Sequence, residues 1–295
     1  MHHFSVVSIV ELMETDKATS SFAWMLLEAI ARQRLYVASG FAEGQTGASI
    51  LTANMRARRN DAGLIVNGSK KPCSLSASMD ILTASVSIES PSGNTDERAV
   101  VVVPANTPGI ERRQFWASPI LAGAESDEII LRDTLVSEKL IAHLGAAGSL
   151  SAMESRAFLW FELLIASSYL GIATGLVERV ISSGKGSPTE RALLGIEVEG
   201  AMAALERVSQ MMVETTESSD DQLVHALFVR FAVQRAIERA TTLAAELCGG
   251  IGFATSFDVG YLYAASRALA FHPPSRLSVA SALDRYITGT PFQVL

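Results

Sequence analysis

The order in which the hydrophobic period changes along the chain constrains its fold more than any single motif. Residues 9–38 carry Leu12, Phe22, Met25, Leu26, Ala29 and Ile30 at three- and four-residue steps, which predicts helix, with Thr19, Ser20 and Ser21 available to start a second one. From Phe41 to about Ile141 the pattern becomes short Val/Ile/Thr-containing runs at 48–58, 63–67, 80–88, 98–104 and 128–131. Asp61-Ala-Gly, Asn67-Gly68, Pro91-Ser-Gly-Asn and Pro108-Gly punctuate them, which predicts a β domain. From Ser151 onward the helical period returns, with helices expected at 153–183, 189–217, 221–248, 258–270 and 277–288. Breaks fall at Gly184-Lys-Gly-Ser-Pro, Ser218-Ser-Asp-Asp, Gly249-Gly-Ile-Gly and Pro273-Pro274. The expectation is an α+β chain: shortened N-terminal helices (1–40), a middle β-barrel-like domain (41–142) and a C-terminal four-helix bundle (150–295).

The 295 residues, 48% of them hydrophobic, are enough to fill a sizeable core. The net charge of −7, with no long run of either sign, argues against a general polyanion binder, so no nucleic-acid partner is expected. Cys73 and Cys248 stand far apart, without a CxxC or a Cys/His cluster, so neither a disulfide framework nor a metal site is indicated. With no targeting signal read at the N-terminus, a reducing cytoplasmic compartment is the default. Residues 157–177 are long and apolar enough to span a bilayer, but Glu162 lies among them. A mid-span carboxylate costs about 2.5–3.5 kcal/mol, which favours a buried bundle helix over a membrane span.

Several fragments carry chemistry, and each also has a plain structural reading. Gly249-Gly250-Ile-Gly252-Phe253 lets backbone approach a ligand closely, yet glycines also cap helix C-termini. Asn67-Gly68 reads as a hairpin turn leading into a serine-rich loop. Those serines suit a heteroaromatic ligand or the loop's own backbone. His272, before Pro273-Pro274, is either a site residue or a packed helix-end histidine. Glu162, in the most apolar helix, is either a carboxyl with a raised pKa that acts as a base or the partner of a bundle arginine.

Taken together, these fragments resemble the acyl-CoA dehydrogenase superfamily over about residues 10–290. Phe41-Ala-Glu43-Gly44-Gln-Thr-Gly47-Ala-Ser49 is similar to its Thr-Glu-Pro-x-x-Gly-Ser signature. Gly63-Leu-Ile-Val-Asn67-Gly68-Ser-Lys70 resembles its Gly-x-x-x-Asn-Gly-x-Lys hairpin. Residues 99–109 resemble its strand ending in Pro-x-x-x-Pro-Gly, and 132–141 its Asp-Val-x-Val-Pro-x-x-x-Leu. Glu246-Leu-Cys-Gly249-Gly250-Ile-Gly252-Phe253 resembles Gln-x-x-Gly-Gly-x-Gly-Tyr. The resemblance implies FAD between the β domain and the bundle, and a homodimer or homotetramer whose neighbouring subunit completes the site. It places Ser74 near the flavin, with Glu43, Gly47 and Ser49 on the facing strand, and Gly249, Gly250 and Gly252 against the FAD pyrophosphate or ribityl chain of a partner.

The departures shape the functional expectation. The family's glutamate base falls on Pro273, and its alternative base position on Phe161, one residue before Glu162. The Arg-Asp pair is Ala264-Ala265, the Trp-Ile-Thr loop is Pro72-Cys73-Ser74, and Arg-x-x-Phe-Gly is replaced near Lys185 to Arg191. The leading expectation is a flavin oxidoreductase acting on an acyl thioester, on CoA or a carrier protein, with His272 or Glu162 as substitute base. The first alternative is a flavin-dependent monooxygenase, which needs no α-proton base. The second is a flavin-poor, non-catalytic subunit assembled with a complete paralogue.

Overall fold

The computed structural model describes residues 1–15, 20–42, 53–90, 97–146, 152–214 and 219–292. They fall into two compact units, Met1–Ala157 and Phe158–Val294. In the first unit, the helical stripe expected near the N-terminus forms α1 (His2–Thr15) and α2 (Ser20–Gln33). These helices bury Ile9, Ala23 and Ile30 against Val37 and Ile81. The chain does not stay helical to residue 38. Arg34 takes a left-handed φ of 57°, the Leu35 amide closes the turn onto the Ile30 carbonyl, and Val37–Gly40 emerges as β1. Its residues pair in parallel with β4 (Ile81–Ile88) and are all buried, so tertiary pairing overrides the local period here.

The remaining strands are β2 (Arg56–Asn60), β3 (Gly63–Cys73), β5 (Glu97–Pro104), β6 (Ile110–Arg113), β7 (Asp127–Ser137) and β8 (Ile141–Ala146). Their order in the sheet is β6-β7-β3-β2-β4-β5-β8, with β1 added beside β4. Leu64, Val66, Leu82, Val86, Val101, Val103, Ile129 and Leu131 form the core under it. The strands β6 and β8 are additions to the sequence expectation, being short runs in which charged or small residues mask the alternation.

Asn67-Gly68 is not the hairpin turn. The turn is at Asp61-Ala62, and Gly63 follows it at φ 143°, where an added Cβ would stand 2.1 Å from the Val136 carbonyl oxygen. Asn67-Gly68 lies inside β3, at a register shift against β7. There the Asn67 side chain accepts from the Asp133 amide at 2.8 Å and donates to the Asp133 carboxylate at 3.1 Å.

The second unit takes most of α3 (Ala152–Ser182), then α4 (Pro188–Glu214), α5 (Asp220–Thr255), α6 (Phe257–Ser266) and α7 (Arg276–Ile287). The starts match the expected helices to within a residue, whereas α5 runs on to Thr255, past the expected end at 248, and α6 stops at Ser266, four residues short of 270. Ser219 opens α5 with a capping box completed by Gln222. The helix is interrupted at Gly249, whose φ of 74° and ψ of 165° are not helical. A 3-10 turn, Arg267–Phe271, leads to His272 and the proline pair. Met153–Ser182 is long and apolar enough to cross a membrane, yet it carries Glu162, whose carboxyl lies 2.9 Å from the buried Arg230.

Candidate active site

In the C-terminal unit, two helices supply residues to the segment around His272. From α3 come Phe161, Glu162 and Tyr169, two helical turns apart, and from α5 comes Arg230. Tyr169 and Arg230 are 5% and 1% exposed, respectively. Arg230 donates to the carbonyls of Leu269 at 3.2 Å, His272 at 2.7 Å and Pro274 at 2.5 Å, and so ties down the segment that ends the 3-10 turn. Its Nε stands 2.9 Å from Glu162 Oε2, an ionic contact out of hydrogen-bond alignment. Glu162 thus has the arginine partner that the plain structural reading allowed. Its side chain is 1% exposed. Burial pushes its carboxyl up to about 8, although Arg230 pulls the other way.

The His272 ring is half-buried. Its Nε2 lies 2.9 Å from the Tyr169 hydroxyl, and the Phe161 ring packs edge-on with centroids 6.4 Å apart. Burial, and then the nearby Arg230 charge, lower its pKa to about 4, so the imidazole is neutral at physiological pH. Burial raises Tyr169 to about 12, which keeps the phenol protonated. Pro273, where the resemblance puts a glutamate base, is an exposed residue with no acid–base group.

At the break in α5, neither Gly249 nor Gly250 has a neighbour that an added Cβ would meet within 4 Å. A Cβ on Gly252 would lie 3.5 Å from Lys185 Nζ, and that ammonium donates to the Cys248 carbonyl at 2.5 Å. Bare backbone beside a lysine is a donor set that suits phosphate oxygens. In the N-terminal unit, Ser74 is bridged to Ser39, and its hydroxyl is 3.0 Å from that of Ser126. The other serines of this loop serve the protein itself: Ser76 donates to the Glu125 carbonyl, and the Ser78 hydroxyl and amide donate to the Glu125 carboxylate. Cys73 is buried with its thiol pushed up to about 12, which makes it inert as a nucleophile. Glu43, Gly47 and Ser49 lie outside the described residues.

No family model matches the chain. A curated relative, isobutylamine N-hydroxylase from Streptomyces viridifaciens, is 41% identical over 296 residues, spanning all of this chain and 78% of the relative. FMN-bound TdsC from Paenibacillus sp. A11-2, a dibenzothiophene monooxygenase, superposes with a TM-score of 0.79 at 18% identity, covering 98% of this chain and 79% of that one. Butyryl-CoA dehydrogenase from Megasphaera elsdenii superposes at 0.75 with 16% identity, over 90% of this chain and 71% of that one. The chain belongs to the acyl-CoA dehydrogenase superfamily. As a member, it has the superfamily's sheet and C-terminal helices but holds a neutral imidazole, a phenol and a buried carboxyl beside an arginine in its bundle. Tyr169, Arg230 and Ser126 were missed by sequence reasoning. The signal for Arg230 was a lone arginine in the apolar run Phe228-Val-Arg-Phe-Ala-Val233, whereas Tyr169 and Ser126 carry no local signal.

Proposed function

We propose that this protein is a flavin-dependent monooxygenase that hydroxylates the nitrogen of a small aliphatic amine. The observation that carries the reading is the state of the two carboxylate positions. Pro273 stands at one, and Glu162, beside the other, is consumed by Arg230. Removing an α-proton from a thioester needs a free base, and oxygenating an amine lone pair does not. The 41% identity to an amine N-hydroxylase along the whole chain supports the same choice. The dehydrogenase expectation therefore gives way to its first alternative.

The cofactor is a flavin, and the residues present fit it in kind: hydroxyls of Ser74 and Ser126 for a polar ring edge, and the Gly249–Gly252 break with Lys185 for phosphate. Bound in its reduced form, it supplies two electrons, so that RNH2, O2 and reduced flavin give RNHOH, water and oxidised flavin. A separate reductase supplies that reduced flavin. A homo-oligomer belongs to the reading, because Ile251, Phe253 and Phe257 expose 83%, 57% and 76% of their surfaces around the glycine break. A cytoplasmic setting suits the two free cysteines.

The test supplies the protein with flavin, a flavin reductase, NADH, O2 and isobutylamine or its short-chain homologues. Hydroxylamine carrying one atom of labelled O2 is the expected product. Absence of hydroxylamine, together with anaerobic bleaching of bound flavin by an acyl-CoA, would overturn the proposal. Lys185→Met should weaken flavin binding about tenfold, the loss of about 1.4 kcal/mol of charge-assisted contact, with thermal stability nearly unchanged. Flavin fluorescence titration measures it, and an unaltered Kd would remove Lys185 from the phosphate site.

A further inference from the structure

We infer that Tyr169 is a positioning residue that fixes His272 in one tautomer, with its hydrogen on Nδ1, and so makes the imidazole a hydrogen-bond donor rather than a base. The argument starts from the Tyr169 hydroxyl, which has a single hydrogen to place. Tyr169 is 5% exposed, and among the described residues its hydroxyl has one partner, His272 Nε2 at 2.9 Å. If Nε2 carried the hydrogen and donated, the phenolic hydrogen would be left buried without an acceptor. That costs about 1–3 kcal/mol. The phenol therefore donates, Nε2 accepts, and the ring's one hydrogen sits on Nδ1.

The rest of the cluster keeps the ring in that pose. Phe161 packs against it edge-on, and the phenol ring lies with its centroid 5.4 Å from the imidazole. Arg230 holds the carbonyls of Leu269, His272 and Pro274, which restrains the backbone that carries the ring. The ring is neutral at physiological pH, which satisfies the one-hydrogen count.

The chemical consequence concerns what can meet this histidine. Its only lone pair is already accepting from Tyr169, so it takes no proton from substrate. What it offers is Nδ1–H, whose partner must be an acceptor. Resting on the amine-oxygenating reading above, that partner would be an oxygen and not the amine nitrogen, which needs its lone pair for bond formation. A fixed donor would stabilise negative charge developing on such an oxygen.

Long-range proton–nitrogen correlation on the full chain labelled with 15N-histidine reads the tautomer directly, without flavin or amine. The chain has five histidines, and His272 is assigned by the signal lost in His272→Gln. The expected wild-type spectrum shows a protonated Nδ1 and a bare Nε2 for His272 at neutral pH, with Tyr169→Phe shifting the ring towards the Nε2–H form. A protonated Nε2 in the wild type would overturn the inference, as would a tautomer unmoved by Tyr169→Phe. In turnover, Tyr169→Phe should lower kcat for amine hydroxylation about tenfold while leaving KM within about twofold, the size of one hydrogen bond made in the transition state. Because the tautomer is read on the resting protein, a failure there leaves the amine reading standing, and an inactive protein with the expected tautomer counts against that reading alone.

Discussion

Arg230→Met is expected to destabilise the C-terminal unit by about 3–5 kcal/mol and to lower its melting temperature by about 10 °C. Methionine approximates the volume, so the loss is polar. Three carbonyls lose their donor, and Glu162 loses the cation 2.9 Å away. The deficit should depend on pH in a defined direction. Burial already raises the Glu162 carboxyl from its ordinary value of 4.5 to about 8 with Arg230 present, and removing the arginine raises it further. A carboxyl raised on folding contributes stability that is fully present below its unfolded pKa and is lost as pH rises through the folded one. In the wild type that loss is complete just above pH 8, but in the variant it continues upward. Thermal unfolding at pH 6 and pH 9 should therefore show the larger deficit at pH 9. Equal deficits would mean that Glu162 does not titrate in this window, and wild-type stability would mean that the arginine contributes nothing.

His272→Ala is expected to lower kcat for amine hydroxylation about a hundredfold, about 2.7 kcal/mol of transition-state stabilisation, with KM and melting temperature little changed. The ring is half-buried at the end of a 3-10 turn, so water can take its place beside the Tyr169 hydroxyl. His272→Gln keeps an N–H donor and should recover about a tenfold part of the loss. Steady-state assays with hydroxylamine and O2 uptake measured together check both variants. Full turnover by His272→Ala would take the ring out of the chemistry.

The helices were legible because their period is local: α4 and α7 begin and end, and α5 begins, within a few residues of where the apolar steps and the Gly or Pro breaks put them. The Gly249 interruption was legible for the same reason. Val37–Gly40 was not, because the four residues Val-Ala-Ser-Gly state no period of their own and their strand character comes from Ile81–Ala84 across the sheet. Asn67-Gly68 misled because the dipeptide favours turns, while Gly63, four residues earlier, is the glycine that the real turn needs. In the site, Glu162 and His272 stood out as a carboxylate and an imidazole in apolar or proline-broken surroundings. Their partners did not, since Arg230 and Tyr169 meet them across 68 and 103 positions of chain, a distance that no spacing rule spans.

The bulge at Asn67-Gly68 also bears on how the protein ages. An asparagine followed by glycine deamidates when its side chain is attacked by the next backbone nitrogen, which requires a freely turning backbone and a loose amide. Here the amide is tied at both ends to Asp133, and an added Cβ on Gly68 would stand 2.9 Å from Met55 Cα, a measure of how closely that backbone is held. The chemical lifetime of this dipeptide is thus set by how often β3 and β7 part, and isoaspartate appearing there would report local opening of the sheet.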